Sequence, residues 1–102
     1  MDAFEFGRFS DPALLILASL AGGEKHGYAM MEDIEAMTGV RLGPGTLYGA
    51  LSRLEQSGLI KALPADERRR PYQLTAQGAA FLRQYLASLG NLVSLGLKRL
   101  EA

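Results

Sequence analysis

The apolar residues of this chain fall into four helical rhythms and three short extended runs. The first rhythm follows Asp11-Pro12, an N-cap acceptor with proline at the first helical position. Leu14, Leu15, Leu17, Ala18 and Leu20 come next, apolar nearly all round, until Gly22-Gly23 stops them. A helix of that kind is buried on several sides. The second rhythm, from Gly27 to Thr38, puts Tyr28, Met31, Ile34 and Met37 on its predicted buried side and Glu32, Asp33 and Glu35 on an acidic outer face. In the third, which starts at Pro44, Leu47, Leu51 and Leu54 recur at i, i+4 and i+7, and Gly58 fits the position just past the end. Val40, Arg41 and Leu42 alternate apolar, basic, apolar, which predicts a short strand. Two more extended runs, LIKALP and RPYQLT, flank ADERR and predict a hairpin with a charged tip, whose sheet that short strand joins.

The last rhythm is the longest. Thr75 is a good N-cap, and Gly78 in the first turn allows close packing. Leu82, Leu86, Leu89, Val93, Gly96 and Leu100 then follow at alternating steps of four and three, a heptad seam broadened by Phe81, Tyr85, Leu92, Leu95 and Leu97. The helix would be roughly 38 Å long at its rise per residue. So small a body cannot cover such a stripe, and a second subunit is its natural cover. The predicted dimer interface therefore takes Phe81, Leu82, Tyr85, Leu86, Leu89, Leu92, Val93, Gly96 and Leu100, with Leu14 and Leu17 from the first helix.

Two short helices separated by only a few residues form a helix-turn-helix, whose second member can lie in a DNA major groove. A hairpin directly after it makes a winged helix. The predicted fold is mainly α: a winged helix-turn-helix with a small β-hairpin wing and a long C-terminal dimerisation helix. Its expected organisation is an N-terminal arm at 1–10, a DNA-binding domain at 11–75 and a dimerisation helix at 76–102. The arm, MDAFEFGRFS, reads equally as a frayed terminus or as phenylalanines packed on a partner.

Length and composition sharpen this reading. The 102 residues fit one domain, small enough to be marginal alone. Hydrophobic residues make up 48% of the chain, so part of the apolar surface is expected in a subunit interface. Without cysteine there is no disulfide, thiol switch or thiolate metal site, and the single His26 argues against a metal sensor. His26 beside Gly27 reads as a capping or surface residue rather than a catalyst. There is no phosphate loop and no nucleophile with an adjacent activator, so neither an enzyme nor a cofactor is expected. No apolar run is long enough for a membrane span, and no basic-then-apolar leader opens the chain, so the expected location is cytoplasmic with no membrane partner.

The formal charge is zero, which by itself argues against nucleic acid. The distribution argues the other way. Residues 1–40 hold two basic and seven acidic side chains, whereas residues 41–75 hold six basic and three acidic. Positive charge thus gathers on the third helix and the wing, where phosphates would be met. Thr46, Ser52, Arg53 and Gln56 point away from the leucine stripe and are the candidates for base edges, arginine being the commonest reader of guanine. Arg41 would face solvent beside that helix. At Gly43-Pro44-Gly45 the backbone is nearly bare, either for close approach of a phosphate at Pro44 and Gly45 or as a plain turn. Arg68, Arg69 and Arg70 stand where a wing touches the minor groove or flanking phosphates. A two-fold dimer predicts a palindromic operator in double-stranded DNA, with half-sites about 34 Å apart. The rival reading is a winged-helix module that binds another protein and never reads DNA.

Three ordered motifs carry a family likeness: HGYAM at 26–30, GPGTLYGALSRLE at 43–55 and RRRPYQLT at 68–75. Together they resemble the PadR family of bacterial transcriptional regulators, over residues 13–102. The resemblance implies a dimeric winged-helix repressor or regulator, often responsive to a small molecule. It also implies that the hydroxyl of Tyr48 meets the DNA backbone. A flat aromatic effector, bound where two long helices meet, is a further implication, with Phe4, Phe9, Phe81, Tyr85 and Leu92 as candidate lining. A dry packed interface is the alternative there. One departure is Gly49, where many members carry proline; glycine within a helix costs about 1 kcal/mol relative to alanine.

Overall fold

The computed structural model describes residues 11–65 and 69–102. Among them lie four helices and three strands: α1 (Pro12–Ala21), β1 (Lys25–His26), α2 (Gly27–Thr38), α3 (Pro44–Gln56), β2 (Ile60–Ala62), β3 (Pro71–Leu74) and α4 (Ala76–Glu101). The mainly helical winged helix-turn-helix expected from the pattern is the fold observed. Its helices begin where local chemistry starts them. Asp11 accepts from the amides of Ala13 and Leu14, the Nδ1 of His26 accepts from Ala29, and Thr75 accepts from Gly78. Helix α3 starts on Pro44 and closes with paired bonds from Gly58 to Glu55 and from Leu59 to Leu54, with Gly58 left-handed at φ 78°. That is the Schellman arrangement, which glycine adopts without a Cβ penalty.

Helix α1 is the centre of the body and packs against α2, α3, β3 and α4. Ile16 and Leu17 are fully buried, and Leu47, Leu51 and Leu54 of α3 close over them together with Met30, Ile34 and Ile60. Ser19, a buried hydroxyl, donates to Asp33 at 2.6 Å. The ammonium of Lys25 donates to the carbonyls of Ser19 and Gly23, so it caps the C-terminus of α1 where the helix dipole favours a cation.

Three expectations are corrected here. Leu14, Leu17 and Leu82 belong to this core, so they have almost no surface left for a second subunit. Tyr28 and Met37 are exposed, because the buried side of α2 runs through Gly27, Met30, Met31 and Ile34, one helical step aside. The expected strand at Val40, Arg41 and Leu42 does not form. The backbone amide of Val40 is taken by the Thr38 hydroxyl, and Leu42 turns into the core. The third strand is instead β1, which pairs antiparallel with β3, giving the order β1-β3-β2. The wing itself registers Ile60 with Leu74 and Ala62 with Tyr72.

The first turns of α4 complete the core through Gly78 and Leu82. Beyond Leu89 the helix leaves the body. The radius of gyration, 15.2 Å, accordingly exceeds the about 13 Å of a compact domain this long.

Candidate nucleic-acid interface

With Leu47, Ala50, Leu51 and Leu54 turned inward, α3 must turn its remaining side outward. Pro44, Gly45, Thr46, Ser52, Arg53 and Gln56 are all exposed on it. Tyr48 lies at the edge of the stripe, half covered by the body. The guanidinium of Arg53 lies back along the helix, 3.6 Å from where a Cβ on Gly49 would stand.

Tyr48 also forms a wall of a cleft of about 370 Å³ between α3, the start of α2 and the wing. His26, Gly27, Tyr28, Arg69, Arg70 and Tyr72 complete its lining. Tyr48 of α3 and the wing therefore share this cleft, and two of the three expected wing arginines lie on it. Arg68 falls outside the described residues. The phenol of Tyr72 is held above its ordinary pKa, first by burial and then by the charge of Glu55, with Arg70 opposing. It stays protonated and able to donate at neutral pH. Arg41 stands apart from this cleft and pairs with Glu35 at 3.1 Å. Both partners are exposed, so the pair is worth at most about 1 kcal/mol and yields readily to a phosphate.

The pattern reading missed His26, Gly27, Tyr28 and Tyr72 as members of this surface. A signal for Tyr28 was present, since Gly27, Met30, Met31 and Ile34 already fill the i, i+3, i+4, i+7 stripe and leave Tyr28 outside it.

A second concavity, about 380 Å³, runs along α4 and is lined by Phe81, Gln84, Tyr85, Ser88, Leu89 and Leu92. Phe81 and Tyr85 stand tilted to each other with ring centroids 5.9 Å apart. The Tyr85 hydroxyl donates to Asp11 at 2.9 Å, which keeps its proton on beyond the usual phenol range. Three of the five expected pocket residues thus line one groove, while Phe4 and Phe9 lie outside the described residues. Gln84 and Ser88 add polar groups that the apolar seam did not reveal.

The sequence profile of the transcriptional regulator PadR-like family matches residues 16–84, most of the chain. The chain belongs to the PadR-like family. Its relatives include a transcriptional regulator of Mycobacterium tuberculosis, 36% identical over 74 residues that cover 70% of this chain and 68% of the relative. An uncharacterised 37.1 kDa protein in transposon Tn4556 of Streptomyces fradiae is 45% identical over 85 residues, 83% of this chain. The present chain spans about a quarter of that protein's length. Among solved structures, a PadR family transcription regulator from Clostridium difficile superposes with a TM-score of 0.70 at 28% identity, over 84% of this chain and 97% of that one. PadR-like proteins are transcriptional regulators and not enzymes, as the absence of a nucleophile with an activator led one to expect. Among the described residues no helix is long and apolar enough to cross a membrane.

Proposed function

We propose that this PadR-like regulator is a sequence-specific DNA-binding repressor that acts in the cytoplasm as a homodimer. One observation carries the reading. Tyr48, exposed on α3, and the wing residues Arg69 and Arg70 line one cleft, of which Tyr72 forms another wall. Residues 11–75 would form the reading unit, with α3 in the major groove. Thr46, Ser52, Arg53 and Gln56 would face base edges, while Pro44, Gly45, Tyr48 and the wing arginines would hold the backbone. Residues 76–102 would join two such units. Leu86, Val93 and Leu100 of the seam are exposed on a single chain, as are Phe81 and Leu92 beside it, while Leu89 and Gly96 of the seam and the neighbouring Tyr85 are half-buried.

The experiment is selection of bound duplexes from a random pool, followed by titration of the enriched site. The expected motif is a palindrome with half-sites about one helical turn, or 34 Å, apart. Failure to enrich any duplex would sink the DNA reading and leave a module for protein partners. The groove on α4 supports a finer reading, release by a small aromatic effector. Its size is in the range of ligand sites and it offers aromatic walls with Gln84 and Ser88 as orienting groups. A screen of aromatic compounds in which none shifts melting or releases DNA counts against it.

A further inference from the structure

We propose that Gly27 is a positioning residue for DNA binding, which acts by letting the phenol of Tyr48 rest on its α-carbon. The inference builds on the reading above, in which Tyr48 holds the DNA backbone.

Gly27 is buried at the first position of α2, in the lining of the cleft. Its backbone is not left-handed, so glycine is not needed there for its torsion angles. Intrinsic helix propensity favours alanine instead. Space is what the position lacks. A Cβ on Gly27 would lie 2.5 Å from the Tyr48 hydroxyl oxygen and 2.9 Å from the Cζ that bears it. Leu47 Cδ2 follows at 3.2 Å, a distance that a few tenths of an ångström relieves. The bare α-carbon therefore leaves room for the hydroxyl of Tyr48 at the wall the cleft shares with Arg70 and Tyr72.

The obstacle to a methyl group is the far end of a flexible side chain and not backbone. Gly27→Ala therefore swings the phenol away while α2 and α3 keep their places. Gly27→Ala keeps the backbone amide of this position, so its effect on binding runs through the displaced Tyr48, and the two residues must act as one unit.

A double-mutant cycle separates that unit from two independent sites. Wild type, Gly27→Ala, Tyr48→Phe and the double variant are titrated on the enriched duplex and on a scrambled one. Each single variant should bind both duplexes about tenfold more weakly, the weight of one hydrogen bond to a charged oxygen. The double variant should bind no more weakly than Tyr48→Phe. In NMR spectra, cross-peaks between the Tyr48 ring and the Gly27 α-protons should be present in wild type. They should vanish in Gly27→Ala, with the core amide shifts retained. Additive losses, undiminished binding by Gly27→Ala, absence of the wild-type cross-peaks or an unfolded alanine variant each overturn the proposal. Wild-type protein that binds no duplex removes the parent reading and this one with it. Strong wild-type binding with an unaffected alanine variant removes this one alone.

Discussion

Helix α3 and the far half of α4 both present an open side to solvent, with opposite chemistry. Beyond its buried leucines, α3 shows water Thr46, Ser52, Arg53 and Gln56. Beyond Leu89, α4 shows water Leu92, Val93, Leu95, Leu97 and Leu100, the last with 84% of its surface exposed. Water solvates the first set well, so on the proposed reading DNA would have to displace good hydration there, and its binding would be conditional, reversible and sensitive to salt. The second set gains roughly 25 cal/mol for each square ångström of apolar area removed from water, whatever the ligand state. One surface waits for a partner and the other calls for one at all times. On the proposed reading these are the operator and the second subunit.

The largest effect expected from breaking this contrast comes from Leu92→Asp combined with Val93→Asp. Both side chains are exposed on a single chain, so the body should keep its fold. In a dimer the same changes put carboxylates into an apolar seam, at several kcal/mol for each unpaired buried charge. Sedimentation should show association weakened by roughly a thousandfold or more, a shift of about 4 kcal/mol. Wild-type protein that sediments as a monomer at micromolar concentration would end the dimer reading.

The two surfaces are joined at a short link. The Thr75 hydroxyl accepts from Gly78 at the start of α4 and donates at 2.7 Å to the carbonyl of Gly58, just past the end of α3. The Thr75 amide donates to Leu59, and a Cβ on Gly78 would collide with that same Leu59 carbonyl. Here the obstacle is backbone, which cannot swing aside as a phenol can. Gly78→Ala should therefore destabilise the fold by about 3 kcal/mol, at the upper end of overpacking costs. Calorimetry should show Tm lowered by more than about 10 °C. An unchanged Tm would mean that the link is loose and that the surfaces move independently.

What could be read in advance follows the same physical division. Helix α3 was legible to the residue because Pro44 and Gly58 each restrict or free the backbone locally. Asp11 and Thr75 were legible for a similar reason, since a cap acts within three residues. Strand β1 was not legible. Two residues carry no periodicity, and their partners Tyr72 and Pro71 lie far along the chain. Nor could the pattern separate core from interface, because Leu82 and Leu86 are the same residue type on one seam, yet the first is buried and the second half exposed. The candidate site was half legible. Its helix and wing could be placed from charge and spacing, but the approach of Tyr48 to Gly27 is a tertiary contact with no local trace.

A smaller effect is expected at Arg53, where the contrast can be sharpened within α3 itself. Its side chain rests along a rigid helix on the face away from the core, which suits it to a base edge or to fixing register. Arg53→Ala should cost about 1–3 kcal/mol on the selected operator and leave binding to a scrambled duplex nearly intact. Equal losses on both duplexes would demote it to a backbone anchor.

The smallest effect belongs to the wing, and it shows in salt dependence more than in affinity at one salt concentration. Arg69 and Arg70 are exposed beside β3, where long side chains stay well hydrated and impose little geometry on a base. On the proposed reading their charge still displaces counterions from phosphates. Arg69→Ala with Arg70→Ala should therefore weaken operator and scrambled duplex alike. The slope of log affinity against log salt should flatten by about 0.9 for each phosphate that a subunit no longer neutralises. Titrations at several salt concentrations on both duplexes measure it directly. A slope that stays at its wild-type value while affinity falls would mean that these arginines act by shape or by hydrogen bonding. A loss confined to the operator would move them from the backbone to the reading of sequence, and α3 would no longer be the sole reader.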